Sequence, residues 1–140
     1  MSGRGGSRNK IMENKITIEF AHICENVIVA KNGNLSIINI FNQINANNFP
    51  AVHPQMFVVI GVYGKTGEYP VNIKIIKKGE EIPFLDFKPE INMRVPEFPA
   101  QGRFFAKLSP IIFKSVGFYE VDIYIEDQNK KLYFSVNKAS

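Results

Sequence analysis

Three side chains in the sequence, His22, Cys24 and His53, are of types that bind transition metals. Because residues two apart on a β-strand point to the same face, His22 and Cys24 could supply two ligands, with His53 as the third. A catalytic zinc takes three protein ligands plus water, and a structural zinc usually takes four. No further motif supplies the remaining ligands. We therefore expect no metal, with His22 an ordinary strand histidine and Cys24 a small core side chain.

No other catalytic constellation stands out in the sequence. A nucleophilic cysteine needs a nearby base and an electropositive, partly exposed position, whereas His22 would point along the same strand as Cys24 and not across a cleft. Serine-hydrolase, P-loop and dinucleotide fingerprints are absent. A calcium site on sandwich loops usually gathers several aspartates, and this chain has three, Asp86, Asp122 and Asp127. We predict a protein that is not an enzyme and has no cofactor.

The net charge of +4 comes mainly from the first ten residues. Residues 11–140 carry fourteen basic and thirteen acidic side chains, so the remainder of the chain is nearly neutral. Basic side chains near aromatic ones, such as Arg103 near Phe98, could form a platform for single-stranded nucleic acid. Lysines in turns also serve to keep sheet edges soluble, and the near-neutral charge favours that interpretation. We do not expect nucleic acid to be the partner.

The length fits one domain, which we place at residues 13–140. Residues 1–12 have almost nothing to bury, so we expect a disordered basic arm, either native or a cloning remnant. The opening residues lack the apolar region of a secretory signal, and no apolar run approaches the ~20 residues of a membrane helix. The single cysteine rules out an internal disulfide and fits a reducing compartment. We predict a cytoplasmic protein with no membrane partner.

Alternating apolar residues predict a half-buried strand at the start of the domain. The residues expected to share one face are Ile16, Ile18, Phe20, His22 and Cys24. Glu25-Asn26 interrupts this pattern before VIVA resumes, which indicates a bulge or bend. An Asn32-Gly33 pair follows, and this pair is typical of a two-residue type I′ hairpin turn. That turn would pair residues 27–31 with residues 34–38. The next run, LSIINIF, is apolar on both faces and is therefore predicted to be a central strand.

The segment from Asn42 to Gln55 is rich in Asn and contains two X-Pro steps, so we predict a long crossing anchored by Phe49. Beyond it, residues 56–63 read as a strand, and residues 83–89 as a short edge strand because they contain proline. Residues 90–95 alternate, with Ile91, Met93 and Val95 inward.

The end of the chain predicts a terminal hairpin, in which Tyr119, Val121, Ile123 and Ile125 share one face. Gly117-Phe118-Tyr119 is similar to the tyrosine corner of immunoglobulin-like sandwiches. No segment of twelve or more residues has a helical period. We therefore predict an all-β fold, a two-sheet antiparallel β-sandwich of seven to nine strands, immunoglobulin-like or C2-like in layout.

Several stretches resemble a family of short, single-domain bacterial proteins of unknown function with a β-sandwich fold. They are CENVIVAKNGNLSIINIFNQI, the FPAVHP step before an apolar strand, and the closing G-x-Y-E-V-x-I-x-I with its hairpin. The resemblance covers roughly residues 16–136 and implies the sandwich fold. The family brings no catalytic or binding residues with it, so none is carried over.

The sequence thus predicts a non-catalytic interaction module, either a homodimer or a domain that binds another protein, because sandwich edges pair readily. The alternative is a small-molecule or nucleic-acid binder that uses the loops 42–55 and 96–103. The candidate binding surface of those two loops comprises Asn47, Phe49, His53, Phe98 and Arg103.

Overall fold

The computed structural model describes residues 15–87 and 92–139. The predicted arm of residues 1–12, and Ile91 with its predicted inward orientation, lie outside the described residues. In the described ranges the chain forms twelve strands: β1 (Ile16–Val29), β2 (Leu35–Ile40), β3 (Gln43–Ala46), β4 (Ala51–His53), β5 (Met56–Gly64), β6 (Gly67–Lys77), β7 (Leu85–Phe87), β8 (Asn92–Val95), β9 (Gln101–Leu108), β10 (Ile111–Phe113), β11 (Gly117–Ile125) and β12 (Gln128–Lys138). No helix in these ranges is long and apolar enough to cross a membrane.

The strands form two large sheets and a small one. The four-stranded sheet has the order β2-β1-β5-β9, with every pair antiparallel. The six-stranded sheet has the order β3-β12-β11-β6-β7, with β8 also paired to β6 and β3 joined to β12 in parallel. Strands β10 and β4 form the small sheet. One buried cluster contains side chains of both large sheets, including Ile60 of β5 and Ile123 of β11. The predicted all-β class is confirmed.

The strand count differs from the predicted seven to nine. Seven strands have six or more residues, and the other five have only three or four. Alternation is hard to recognise over three or four residues, so β3, β4 and β10 were not predicted as strands, whereas a short strand was predicted at β7. One of them, β7, lies at a sheet edge as predicted for residues 83–89. In β8 the predicted burial of Met93 and Val95 is confirmed.

The prediction that the alternating residues of β1 share one face was wrong. The pairing of β1 with β5 shifts between Ile18 and Phe20. Before the shift Ile16 is buried in the main core, but after it Ala21 and Ile23 enter that core. A bulge adds one residue to one strand, so every later side chain changes face. Phe20, His22 and Cys24 therefore lie on the outer face of the four-stranded sheet, the face turned away from the core.

The turn between β1 and β2 is not the predicted type I′ turn. Gly33 has φ of +89° whereas Asn32 is not among the residues with positive φ. Ala30 N donates to Asn34 O at 2.9 Å and Gly33 N donates to Ala30 O at 2.9 Å, which makes a three-residue loop closed by a left-handed glycine. The hairpin consequently pairs Val29 with Leu35, one residue out of the predicted register.

The prediction that residues 35–41 form a central strand was also wrong. Strand β2 lies at the edge of the four-stranded sheet and pairs only with β1. The central position is taken by β5, in which all seven residues from Met56 to Val62 are buried. An apolar run on both faces is expected of either a covered strand or an exposed interaction edge, and the sequence does not distinguish the two.

The predicted crossing leaves the four-stranded sheet after β2, adds a strand to the six-stranded sheet and returns to the four-stranded sheet at β5. Its first part is β3, which adds to β12 of the six-stranded sheet, and its second part is β4, which pairs with β10. Phe49, between the two, packs against the main core as predicted. The crossing is therefore held to the sandwich by backbone pairing at both ends and by an aromatic anchor in the middle.

The predicted terminal hairpin is confirmed, with Gly117 opposite Val136 and Ile125 opposite Gln128. Tyr119 is buried and its ring stacks on Phe134 at 5.0 Å between centroids. Among the described residues its hydroxyl makes no hydrogen bond to backbone, so the tyrosine corner is not confirmed.

A row of alternating charges crosses the outer face of the six-stranded sheet. Cross-strand partners are Asp86 and Lys74, Lys74 and Asp122, and Asp122 and Lys131. Lys131 Nζ lies 3.0 Å from Asp122 Oδ1 and 3.0 Å from Glu120 Oε2. These hydrogen bonds, with Asp122 contributing most, raise the pKa of Lys131. Opposite charges on neighbouring strands stabilise this pairing register.

We expect Gly33→Val to destabilise the protein by about 1–2 kcal/mol, because a β-branched residue is strained at the left-handed φ that this turn requires. A Cβ at this position would meet no neighbouring atom within 4 Å, so the cost is conformational and not steric. Thermal unfolding followed by circular dichroism measures it. Gly33→Asn, which tolerates left-handed φ, is the control and should cost less. Equal melting temperatures for wild type and Gly33→Val would contradict the turn geometry.

Candidate functional site

The structure does not bring His22, Cys24 and His53 together. His22 and Cys24 lie on the outer face of the four-stranded sheet, whereas His53 ends β4 in the crossing. In residues 15–87 and 92–139 there is no group of three or more His, Cys, Asp or Glu side chains placed to hold a metal ion.

Cys24 belongs to a second apolar cluster on the outer face of the four-stranded sheet, which we call the outer cluster. Its members are the buried residues Cys24, Phe57 and Val59 and the partly buried residues Phe20, Val27, Leu35 and Ile37. The Cys24 thiol is fully buried and its Sγ donates to Asn26 O at 3.4 Å. Burial is the largest influence on this thiol and raises its pKa. Cys24 therefore packs as an apolar side chain of the outer cluster, and its raised pKa disfavours the thiolate form.

Phe20 closes the outer cluster by covering a glycine. A Cβ at Gly61, opposite Phe20 in the register of β1 and β5, would overlap the Phe20 ring. The ring also stacks on His22 with centroids 5.8 Å apart, and Phe105 of β9 tilts against Phe57 at 6.1 Å. These aromatic contacts bury the outward-facing half of β5 without a further layer of secondary structure.

Five residues form an open groove along this outer face: Phe20, Asn34, Leu35, Ile37 and Arg103. Arg103 had been placed with the crossing residues in the predicted binding surface, but it contributes to this groove instead. Phe98, another member of that prediction, is 90% exposed in the loop between β8 and β9. The predicted surface is therefore split, and only its crossing residues lie together.

Around His53, the crossing forms an open cleft that we call the His53 cleft. It consists of two adjoining depressions of about 440 and 230 Å³ that share Ile44, Asn45 and His53. The first depression also includes Asn47, Asn48, Pro50 and the buried ring of Phe113. The second also includes Glu25, Asn39, Phe41 and Gln43. Of the predicted binding residues, Asn47 and His53 line this cleft, and Phe49 anchors the segment between them.

His53 is the central side chain of the cleft, and its ring packs at 5.9 Å from Phe41. Its Nε2 is buried and has no hydrogen-bond partner among the described residues. Burial lowers the pKa of His53, while the charge of Glu25 and a hydrogen bond with the backbone of Gln55 act in the opposite direction. The imidazole is consequently neutral at neutral pH.

Sequence reasoning missed three residues of the cleft: Glu25, Asn39 and Gln43. They come from the end of β1 and the region around β2 and β3, so only the crossing of the chain between sheets brings them to His53. Asn39 adopts a left-handed φ of +57°, a conformation that asparagine adopts more readily than most residues, but this φ is known only from the structure.

We expect His53→Gln to reduce the loss of stability on acidification. A histidine whose pKa is lowered on folding contributes stability above its unfolded pKa, near 6.5, and this contribution is lost as the pH falls below that value. Melting temperatures measured from about pH 8 down to pH 5 test this, with His22→Gln as the control for loss of a histidine elsewhere. Parallel pH profiles for wild type and His53→Gln would contradict the burial of this imidazole.

We expect Gly61→Ala to destabilise the protein by about 1–3 kcal/mol, because the added methyl group must displace the Phe20 ring. In a Phe20→Leu background the same substitution should cost less, since the smaller side chain leaves room above residue 61. Urea unfolding of the four proteins in this cycle measures the coupling. Additive effects would contradict the contact between Phe20 and Gly61.

Comparison with known proteins assigns the chain to a family but gives no information about its activity. A search of curated proteins finds no match. A family model described as a family of unknown function, DUF6941, matches residues 19–136, most of the chain and nearly the stretch over which the sequence resembles an uncharacterised family. The chain belongs to this family of unknown function, DUF6941.

Proposed function

We propose that this protein is a non-catalytic β-sandwich domain, immunoglobulin-like or C2-like in layout, that associates with a second copy of itself through the free edge of β2. Packing of the four-stranded sheet on the six-stranded sheet around one core supports the sandwich layout. The main support for self-association is that β2 is an edge strand with mostly apolar side chains and no charged residue.

The outer strands of the two large sheets differ in how they avoid unwanted pairing. Short strands and exposed charges are the usual protections of a sheet edge. Strands β3 and β7 of the six-stranded sheet have four and three residues. Strand β9 of the four-stranded sheet has exposed Arg103 and Lys107. Strand β2 has six residues, LSIINI, with no charge and no proline.

The hairpin of β1 and β2 also exposes aliphatic side chains. The exposed fraction is 52% for Ile28, 53% for Val29, 38% for Ile38 and 55% for Ile40. A strand edge with free backbone groups, surrounded by exposed aliphatic side chains, provides both the hydrogen bonds and the apolar area that strand addition uses. The left-handed φ of Asn39 ends the regular stretch, so we place the pairing at residues 35–38.

A second copy is the occupant that best fits this edge. In a twofold interface each residue approaches its own counterpart or a near neighbour, so a charged edge would repel itself, whereas LSIINI does not. Antiparallel pairing of two β2 strands would join two four-stranded sheets into a continuous sheet of eight. The outer face of the other sheet, by contrast, carries the charge row of Lys74, Asp122 and Lys131 and offers no comparable apolar edge.

We propose no catalytic role, and the surroundings of the side chains best suited to catalysis support this. Cys24 is fully buried with a raised pKa, and neither histidine lies beside it in a nucleophile–base arrangement. The polar residues of the His53 cleft are mostly amides, which bind but do not transfer protons.

The test is the molar mass in solution across micromolar concentrations, measured by light scattering after size exclusion and by sedimentation velocity. We expect a dimer for the wild type and a dissociation constant raised more than about tenfold by Ile38→Lys, because the charge at position 38 of each copy would be buried against the apolar Leu35 of the other. Ile112→Lys, at a residue of β10 with 53% exposure, is the matched control and should leave the dimer intact.

A charge-swap experiment sharpens the same test. Ile38→Lys and Leu35→Glu should each weaken the dimer when alone and should form a mixed dimer when combined. Antiparallel pairing of residues 35–38 sets position 38 of one copy opposite position 35 of the other, so opposite charges then face each other. A wild type that is monomeric throughout the concentration range overturns the proposal. So does a dimer that Ile112→Lys dissociates and Ile38→Lys does not.

A further inference from the structure

We propose that the His53 cleft binds an uncharged, hydroxyl-rich small molecule, with a neutral saccharide as the ligand class. This site adjoins β2 at Asn39, but it does not include the proposed pairing residues 35–38 and does not depend on self-association.

The first support is that paired strands hold part of the cleft wall, on either side of the loop residues Asn47, Asn48 and Pro50. Ile44 and Asn45 sit in β3, which pairs with Val136 and Asn137 of β12. His53 ends β4 and pairs with Ile111 of β10. The fully buried Phe113 forms part of the base. A depression of about 440 Å³ within such walls is of the size that small ligands occupy.

The second support is a set of amide side chains that are free to bind. Among the described residues, the side chains of Asn39, Asn45, Asn47 and Asn48 make no hydrogen bond to protein. An amide offers both donors and an acceptor, and a hydroxyl group likewise donates and accepts. Several amides converging on one cleft therefore match a ligand that carries several hydroxyl groups.

The third support is the charge of the cleft, which excludes anionic ligands. Among the residues that the structure describes, Glu25 is the only acidic side chain that lines either depression, and no Lys or Arg lines them. His53 is held neutral by burial. A phosphate or carboxylate would find no lysine or arginine among the described lining residues and would be repelled by the charge of Glu25. A neutral ligand would not be repelled.

The fourth support is the burial of the aromatic rings in the cleft, which favours a saccharide over a nucleobase as the ligand. Bases bind proteins largely by stacking on exposed aromatic rings. In the cleft Phe113 is fully buried and Phe41 is partly buried with its ring tilted against that of His53, so Phe113 offers no open face for stacking and Phe41 only a partial one. Binding must then come mainly from hydrogen bonds. The buried Nε2 of His53, without a partner among the described residues, adds a polar atom in the wall that a ligand hydroxyl can satisfy after a small side-chain shift.

The experiment uses the full chain labelled with ¹⁵N and titrated with maltotriose and with triacetylchitotriose, two neutral trisaccharides. Sialyllactose, adenosine and AMP are the comparison probes. We expect at least one neutral trisaccharide to bind and to shift the backbone amide resonances of residues 43–53. Asn45→Ala and Asn47→Ala should each weaken this binding about fivefold, as expected for loss of one neutral hydrogen bond.

Asn42→Ala is the matched control, since Asn42 is an exposed asparagine of the same segment that lines neither depression. It should leave the affinity unchanged. The proposal is overturned if neither trisaccharide binds at millimolar concentration, or if sialyllactose, adenosine or AMP binds more tightly than both. It is also overturned if the shifted resonances lie outside the cleft, or if Asn42→Ala weakens binding as much as Asn45→Ala. Ile38 lines neither depression, so saccharide binding to the Ile38→Lys variant is measured as well. Its affinity should match that of the wild type.

Discussion

The structure depends on the burial of both faces of β5. All residues from Met56 to Val62 are buried, yet only one face of this strand meets the six-stranded sheet. The other face would expose Phe57 and Val59 if nothing covered it, and no layer of secondary structure does so in the described residues. The outer cluster provides the cover, with the Phe20 ring lying over Gly61 and Phe105 packing against Phe57. Apolar burial of this kind is the main favourable contribution to folding.

The bulge in β1 is a consequence of that constraint. Without the shift between Ile18 and Phe20, Phe20 would continue into the main core and the outer face of β5 would lose its cover. The same shift directs Cys24 outward, where it packs in the outer cluster on the same face as His22. One extra residue thus decides both the packing of the sheet and the surroundings of Cys24.

The two large sheets present different surfaces as a result. The six-stranded sheet has an outer face with the alternating charges of Lys74, Asp122 and Lys131, which satisfy one another. The four-stranded sheet has an apolar outer face and an uncharged edge at β2. The crossing adds a third kind of surface, a cleft of amides around the partly buried imidazole of His53. The proposed self-association and the proposed saccharide site use the second and third of these.

The sequence by itself determined the all-β class, the two hairpins, the crossing with Phe49 as its anchor and the family. These follow from alternation of apolar residues, from asparagine, glycine and proline at turns, and from short motifs, all of which are local. Only the tertiary structure decided the bulge in β1, the register of the Gly33 hairpin, the edge position of β2 and the residues that join His53. A one-residue shift leaves composition unchanged but moves every side chain to the other face. Which strand becomes central depends on partners distant in the chain, so the local pattern of LSIINIF could not reveal it.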